Sequence, residues 1–302
     1  MNAVNKHRFL ALIVTVMVSS LLILNACDET FEPLQENDRY FFSIYGFLDA
    51  SADTQWVRII PLREGINQLP EMDATVTLEN IDTGETSVMN DSLFNYQGGN
   101  AAWNFWTTMD LQPEGAYRLR AVNTDGNEST VVIEMPPDFP TPKVYEDQIT
   151  EFGVDTVLIE GVENLADVRT IWSVSDNFSP NNRIFNYPHL QDTVDANPGF
   201  FMLEINTMQD IERIARIYHP EFNEAMKFFT PQRAQVWVAS AGPGWLYFPD
   251  IDENIITLPD GISNIENGTG YLIGIVSKTV PLSSCFDEDD EVIACEEEPP
   301  LW

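Results

Sequence analysis

The chain has 302 residues, with 15 basic and 48 acidic side chains and a formal charge of −33. So acidic a balance repels phosphate backbones and anionic headgroups, which argues against nucleic acid as a partner and against charge-driven docking on a membrane. Apolar residues make up 44% of the chain and aromatic residues 11%, enough for real cores and, at this length, for two domains.

In chain order, Lys6, His7 and Arg8 precede a run without charge over residues 9–24, the layout of a secretory leader. Spanning a bilayer takes about 20 apolar residues. This run is shorter, carries Thr15, Ser19 and Ser20 and breaks at Asn25, so cleavage is expected rather than permanent insertion. Leu24, Asn25, Ala26 and Cys27 resemble the lipobox of bacterial lipoproteins, with Asn25 a less usual filler. That resemblance implies a signal peptide over residues 1–26 and acyl chains, palmitate among them, on Cys27. More than one chain makes anchoring stable, at about 0.8 kcal/mol per buried methylene. With Lys6 and Arg8 removed, 13 basic against 48 acidic side chains leave −35.

Residues 27–38 read as an acidic tether. From residue 39 short β-rich runs follow at 40–48, 55–61, 74–80, 87–90, 103–108, 116–122 and 129–135, the spacing of a sandwich. Asp82, Thr83 and Gly84, and later Asp125 and Gly126, are hairpin signals between alternating runs. Gly115 shortly ahead of Tyr117 fits an immunoglobulin-like sandwich in which the tyrosine is structural. Pro136, Pro137, Pro140 and Pro142 end the module near residue 138. A second β-rich domain is expected over 139–284, with strands at 156–161, 168–174, 183–187, 200–205, 235–239 and 271–277. One helical insertion falls near 208–229. Thr207 is its expected cap, Ile211, Ile214, Ala215 and Tyr218 follow at helical spacing, and Phe222 to Phe229 add a turn or two past Pro220. Residues 285–302 form an acidic C-terminal segment ending in a mobile tail. With Cys27 assigned to lipid, Cys285 and Cys295 are left as a pair, and an exported chain meets conditions that oxidise it. So short a closed loop adds roughly 3 kcal/mol on the chain-entropy model.

Three stretches then resemble lipoproteins of Bacteroidota grouped as domain of unknown function 4249. They are Phe42 to Leu48 with Gln55 to Ile59, Ala74 to Leu78 with Asp82 to Gly84 and Gly115 to Leu119, and Ser263 to Tyr271. The resemblance implies a surface-exposed outer-membrane lipoprotein, often encoded beside TonB-dependent receptors. It supplies no catalytic residues. Asp28 and Glu29 after the cysteine resemble the surface-export signal of Bacteroidota lipoproteins, whereas an Asp at that place in enterobacterial lipoproteins tends to hold the protein at the inner membrane; the family resemblance favours the surface.

Chemistry is sparse in the residues themselves. The mature chain has two histidines, His189 in a loop and His219 beyond the helix, and neither makes a His-x-x-x-His pair. There is no Gly-x-Ser-x-Gly elbow and no phosphate loop. Asp287, Asp289 and Glu291 alternate like calcium ligands, but Val292 stands where that loop wants glycine. No cofactor and no metal are expected. The aromatic turn carrying Trp245, Tyr247 and Phe248 suits a sugar or peptide, and Trp103 and Trp106 face opposite sides of one strand. The expectation is a mainly β, lipid-anchored, non-enzymatic envelope protein that serves a TonB-dependent receptor as a surface accessory. Direct capture of carbohydrate or peptide is the alternative. Hydrolysis would require two facing carboxylates in a cleft, or a histidine network.

Overall fold

The computed structural model describes residues 40–62, 72–95, 101–146, 154–176, 183–218, 229–246, 262–283, 285–286 and 292–301. Alternation of apolar and polar residues makes the first eight elements strands. They are β1 (Phe42–Asp49), β2 (Gln55–Pro61), β3 (Thr75–Asn80), β4 (Thr86–Val88), β5 (Asn90–Asn95), β6 (Ala101–Thr107), β7 (Ala116–Val122) and β8 (Glu128–Glu134). In β7, Tyr117, Leu119 and Ala121 point inward and are fully buried, while Arg118 and Arg120 point out and pair with Glu79 and Glu128. Both predicted hairpins form. Asn80 Oδ1 accepts from the amides of Asp82 and Thr83, which turns β3 into β4, and the Gly126 amide closes the β7–β8 turn onto the Asn123 carbonyl. The buried Tyr117 hydroxyl accepts from the Gln112 amide at 2.7 Å, the corner contact expected of an immunoglobulin-like sandwich. The run at 87–90 is divided: β4 edges the small sheet β4-β3-β7-β8, and after Met89 the chain crosses to the large sheet as β5.

The second half contributes β9 (Lys143–Tyr145), β10 (Val154–Glu160), β11 (Leu165–Asp176), β12 (Arg183–Pro188), β13 (Val194–Asn197), β14 (Phe200–Asn206), β15 (Phe229–Ala241) and β16 (Gly268–Pro281). Among the described residues one α-helix, α1 (Thr207–Tyr218), follows β14, and a single 3-10 turn spans Leu190–Asp192. Its cap differs from expectation. Asn206 Oδ1 accepts from the Gln209 amide, whereas the Thr207 hydroxyl donates to Asp155, so Asn206 is the N-cap. Phe229 opens β15 and is not helical; Phe222, Ala225 and Met226 lie outside the described residues.

One sheet joins the halves. Its order is β12-β11-β15-β16-β1-β2-β6-β5, and its centre is the parallel pair β1–β16, in register from Phe42 opposite Gly268 to Asp49 opposite Ile275. On its inner face the small sheet encloses a first core of Ile44, Val57, Leu78, Phe105 and Leu119, to which Ile265 and Leu272 also belong. Beside it, the sheet β13-β14-β10-β9 encloses a second core of Val157, Ile159, Val168, Val238 and Val276. The apolar stripe of α1, Ile211, Ile214 and Ala215, packs on Trp172, Val174 and Phe185. Each half thus has its own core, while the strands of residues 39–302 form one unit across the expected boundary near 138.

The C-terminal segment is docked. A short hairpin, β17 (Cys285–Phe286) with β18 (Val292–Ile293), sets Cys285 opposite Ile293, and Cys295 is disulfide-bonded. Beyond it the Glu298 amide donates to the Thr279 carbonyl, the Gln235 side chain donates to the Pro299 carbonyl and Leu301 packs on the cluster that contains Trp237, so residues 299–301 are not the mobile tail expected.

At the seam, Gly270 has φ +110°, and a Cβ there would stand 2.1 Å from the Ile44 carbonyl oxygen. Strand β1 can approach β16 only because that position carries no side chain. Gly270→Ala is expected to cost about 3 kcal/mol or more, read as a lower urea midpoint with unchanged slope.

Candidate functional site

The outer face of the large sheet is where aromatic side chains meet solvent. In β1 the parity of Phe42 and Ile44 points inward, leaving Tyr45 and Phe47 outside, each 49% exposed. In β2 the parity of Val57 and Ile59 points inward, leaving Trp56 beside Arg58 outside and 41% exposed. Trp106 lies opposite Trp56 with ring centroids 5.9 Å apart, and Phe94 reaches Trp56 at 5.4 Å. Trp103, as its spacing from Trp106 implies, turns the other way and packs on the first core.

Next to these rings is a cleft of about 690 Å³. Phe47, Trp56 and Trp237 supply its apolar surface, Asp49 and Asp53 its floor and rim, and Glu297 to Pro300 one wall. Asp49 is buried. Its carboxylate accepts from the Ser51 amide at 2.9 Å and from the Ser277 hydroxyl, and its backbone is bracketed by Gln55, whose side chain accepts from the Asp49 amide and donates to its carbonyl, both at 2.8 Å. Burial pushes the Asp49 carboxyl up from its ordinary value, and the serine bonds only partly oppose this. On the wall, Glu298 accepts from Gln235 and Arg233, which hold its carboxyl below the usual range, and Glu297 meets Lys278 at 2.9 Å.

Trp245 is placed differently from the exposed platform expected of it. It is partly buried against the cluster of Ala166, Ile171, Trp237 and Ile273, in a turn clamped by Tyr271, whose hydroxyl donates to the Gly244 carbonyl and accepts from the Leu246 amide. Tyr247 and Phe248 lie outside the described residues, as do Asp287, Asp289 and Glu291. The cleft aromatics were missed, although one signal for them is in the sequence: Trp56 shares its parity with Arg58, the polar side of an alternating strand.

His189, expected in a loop, belongs to a buried network and is only 3% exposed. Its Nε2 is 2.9 Å from Asp210 Oδ2 and 3.1 Å from Thr170 Oγ1, and its Nδ1 is 3.3 Å from Asp192. The Thr170 hydroxyl donates to Asp210 at 3.0 Å and accepts from Trp172 Nε1 at 3.0 Å. A nucleophile would need its proton directed to the imidazole and access to solvent. Thr170 is fully buried and gives its proton to the carboxylate, so the network pins the first turn of α1 to β11. Among the described residues no group of three or more His, Cys, Asp or Glu side chains is placed to hold a metal, and no helix is long and apolar enough to cross a membrane.

No protein-family model and no curated protein matches the chain. Among solved structures the chain is similar to a pullulanase from Anoxybacillus sp. LM18-11, at 10% identity and a TM-score of 0.21, over 65% of this chain and 24% of that one. A likeness so loose carries no argument about activity.

Two outcomes follow from these geometries. With its folded pKa raised, Asp49 keeps a proton that the unfolded chain releases, so its contribution to stability falls as pH rises from the ordinary carboxylate range through the folded value. Asp49→Asn is therefore expected to gain on the parent protein as pH rises above the ordinary carboxylate range, measured by urea titration of both at each pH. His189→Ala leaves Asp210 buried with one donor fewer and is expected to cost about 3 kcal/mol, while His189→Gln, which keeps a donor, loses less in the same titration.

Proposed function

We propose that the chain is exported, anchored by acyl chains on Cys27, and works at the outer-membrane surface as a non-catalytic accessory that binds a partner or nutrient for a TonB-dependent receptor. The observation that carries the binding role is the outer face of the large sheet, where exposed Phe47 and Trp56 frame a cleft beside buried Asp49. Such a concave, largely apolar site with a few placed polar groups is the usual form of a ligand pocket. The burial of Thr170 and His189 further favours binding over hydrolysis, because their hydrogen bonds serve the fold. The anchor and the receptor rest on the lipobox of Leu24 to Cys27 and on the family resemblance.

A second reading, direct capture of carbohydrate or peptide by this protein alone, draws on the same aromatics but moves them from Trp245 to Phe47 and Trp56. Both readings share one test. Cells fed labelled palmitate are expected to label the parent chain and not Cys27→Ala, which moves to the soluble fraction. After cross-linking, the parent chain is expected to co-purify with outer-membrane receptors. A labelled protein that consistently comes down alone overturns the accessory role and leaves direct capture.

A further inference from the structure

The residues that line the cleft include four carboxylates, Asp49, Asp53, Glu297 and Glu298, and no lysine, arginine or histidine. Two of these charges are already matched from behind the wall, Glu298 by Arg233 and Glu297 by Lys278. Among the described residues neither of the other two meets a cation. Asp49 is held by an amide and a hydroxyl alone, and Asp53 stands exposed at the rim next to the loop that leads into Trp56. Anions are therefore repelled from this cleft, and a neutral ligand would leave its field unused.

The chain itself shows what suits the setting. At the edge of the cleft, the Arg169 guanidinium sits 5.5 Å from the centroid of the Trp237 ring while paired to Asp167. An aromatic face, a planar cation and a carboxylate form one unit there, the combination in which ring quadrupole and ion pair add. Trp56 and Asp53 both line the cleft and are both exposed, so an aromatic ring and an acid are offered there with no cation among the lining residues. Away from the cleft, Trp106 and Phe94 extend the apolar surface around Trp56, which gives room for the residues flanking a charged side chain and favours a peptide over a free amine.

We infer that the cleft takes a basic side chain of an extended peptide, its guanidinium or ammonium group held between the Trp56 ring and the Asp53 carboxylate. This rests on the reading of the cleft as the ligand site and adds the ligand's chemical class.

The test titrates the full-length protein in detergent with three probes, followed by calorimetry and tryptophan emission. They are the blocked peptide Ala-Phe-Arg-Phe-Ala, the same peptide with citrulline for arginine, and maltohexaose. Citrulline keeps the shape of arginine and removes its charge. The arginine peptide is expected to bind about tenfold more tightly than its citrulline twin, and the gap should shrink with added salt. Asp53→Asn should bring the gap below about twofold, and Trp56→Ala should weaken both peptides. Both side chains are exposed, and circular dichroism confirms that the variants fold. Equal affinity for the two peptides, or binding of maltohexaose alone, overturns the cationic class and keeps the cleft. If no probe binds and Trp56→Ala changes no emission on titration, the cleft as ligand site falls as well.

Discussion

The structure depends on the parallel pairing of β1 with β16. These strands lie more than two hundred residues apart in the chain, so the contact carries a loop-closure cost that local hairpins do not. Once made, it turns what would be two separate sheets into one of eight strands. The inner face of β16 then serves both cores, Leu272 the first and Val276 and Val280 the second. Two glycines make the approach possible: an added Cβ at Gly268 would lie 2.6 Å from the Phe42 carbonyl oxygen, and at Gly270 2.1 Å from that of Ile44.

The same pairing assembles the cleft. Phe47 and Asp49 come from β1, Ser277 and Thr279 from β16, and Trp56 from the strand on the other side of β1. None of these residues is near its partners in sequence except through the β1–β2 hairpin. The bond from the Ser277 hydroxyl to Asp49 exists only in this register, and it sits where burial has already made the carboxylate costly to ionise. Stability of the seam and the electrostatics of the site are therefore one problem.

Much of the fold was legible because period-two alternation is a local signal. Val76 with Leu78, and Tyr117 with Leu119 and Ala121, mark their strands and inward faces without reference to anything distant, and the turns at Asp82 to Gly84 and at Asp125 with Gly126 mark two hairpins. The apolar spacing of Ile211, Ile214 and Ala215 likewise marks the helix. Alternation does not say which strand lies next to which, so the stretch from Ser263 to Tyr271 reads as a glycine-rich turn leading to a strand, with no hint of its parallel partner. Nor does it show a strand changing sheets, as the chain does at Met89. Trp245 looked exposed because Gly-Pro-Gly is a turn, but the Tyr271 hydroxyl that folds this turn onto the core comes from another strand. His189 is in a loop, as its sequence suggests, but its burial was hidden for the same reason, since Asp210 and Thr170 reach it from a helix and a strand.

The fastening of the chain's end follows from this arrangement. On the inner side the large sheet is covered by two smaller sheets and α1; among the described residues, what lies over the outer side of β15 and β16 is the turn carrying Trp245 and the segment after Cys295. A segment of that kind, rich in acid and proline, cannot bury enough apolar surface to hold itself down. It is held instead by point contacts: the disulfide at Cys295, Glu297 with Lys278 and Thr141, Glu298 with Arg233 and Gln235, and Leu301 on the cluster around Ile171, Trp237 and Ile273. These contacts set Pro299 and Pro300 along the cleft, where proline's fixed φ keeps the wall stiff without needing strand partners. A wall built in this way depends on an oxidised cysteine, which ties the shape of the site to the redox conditions under which the chain folds.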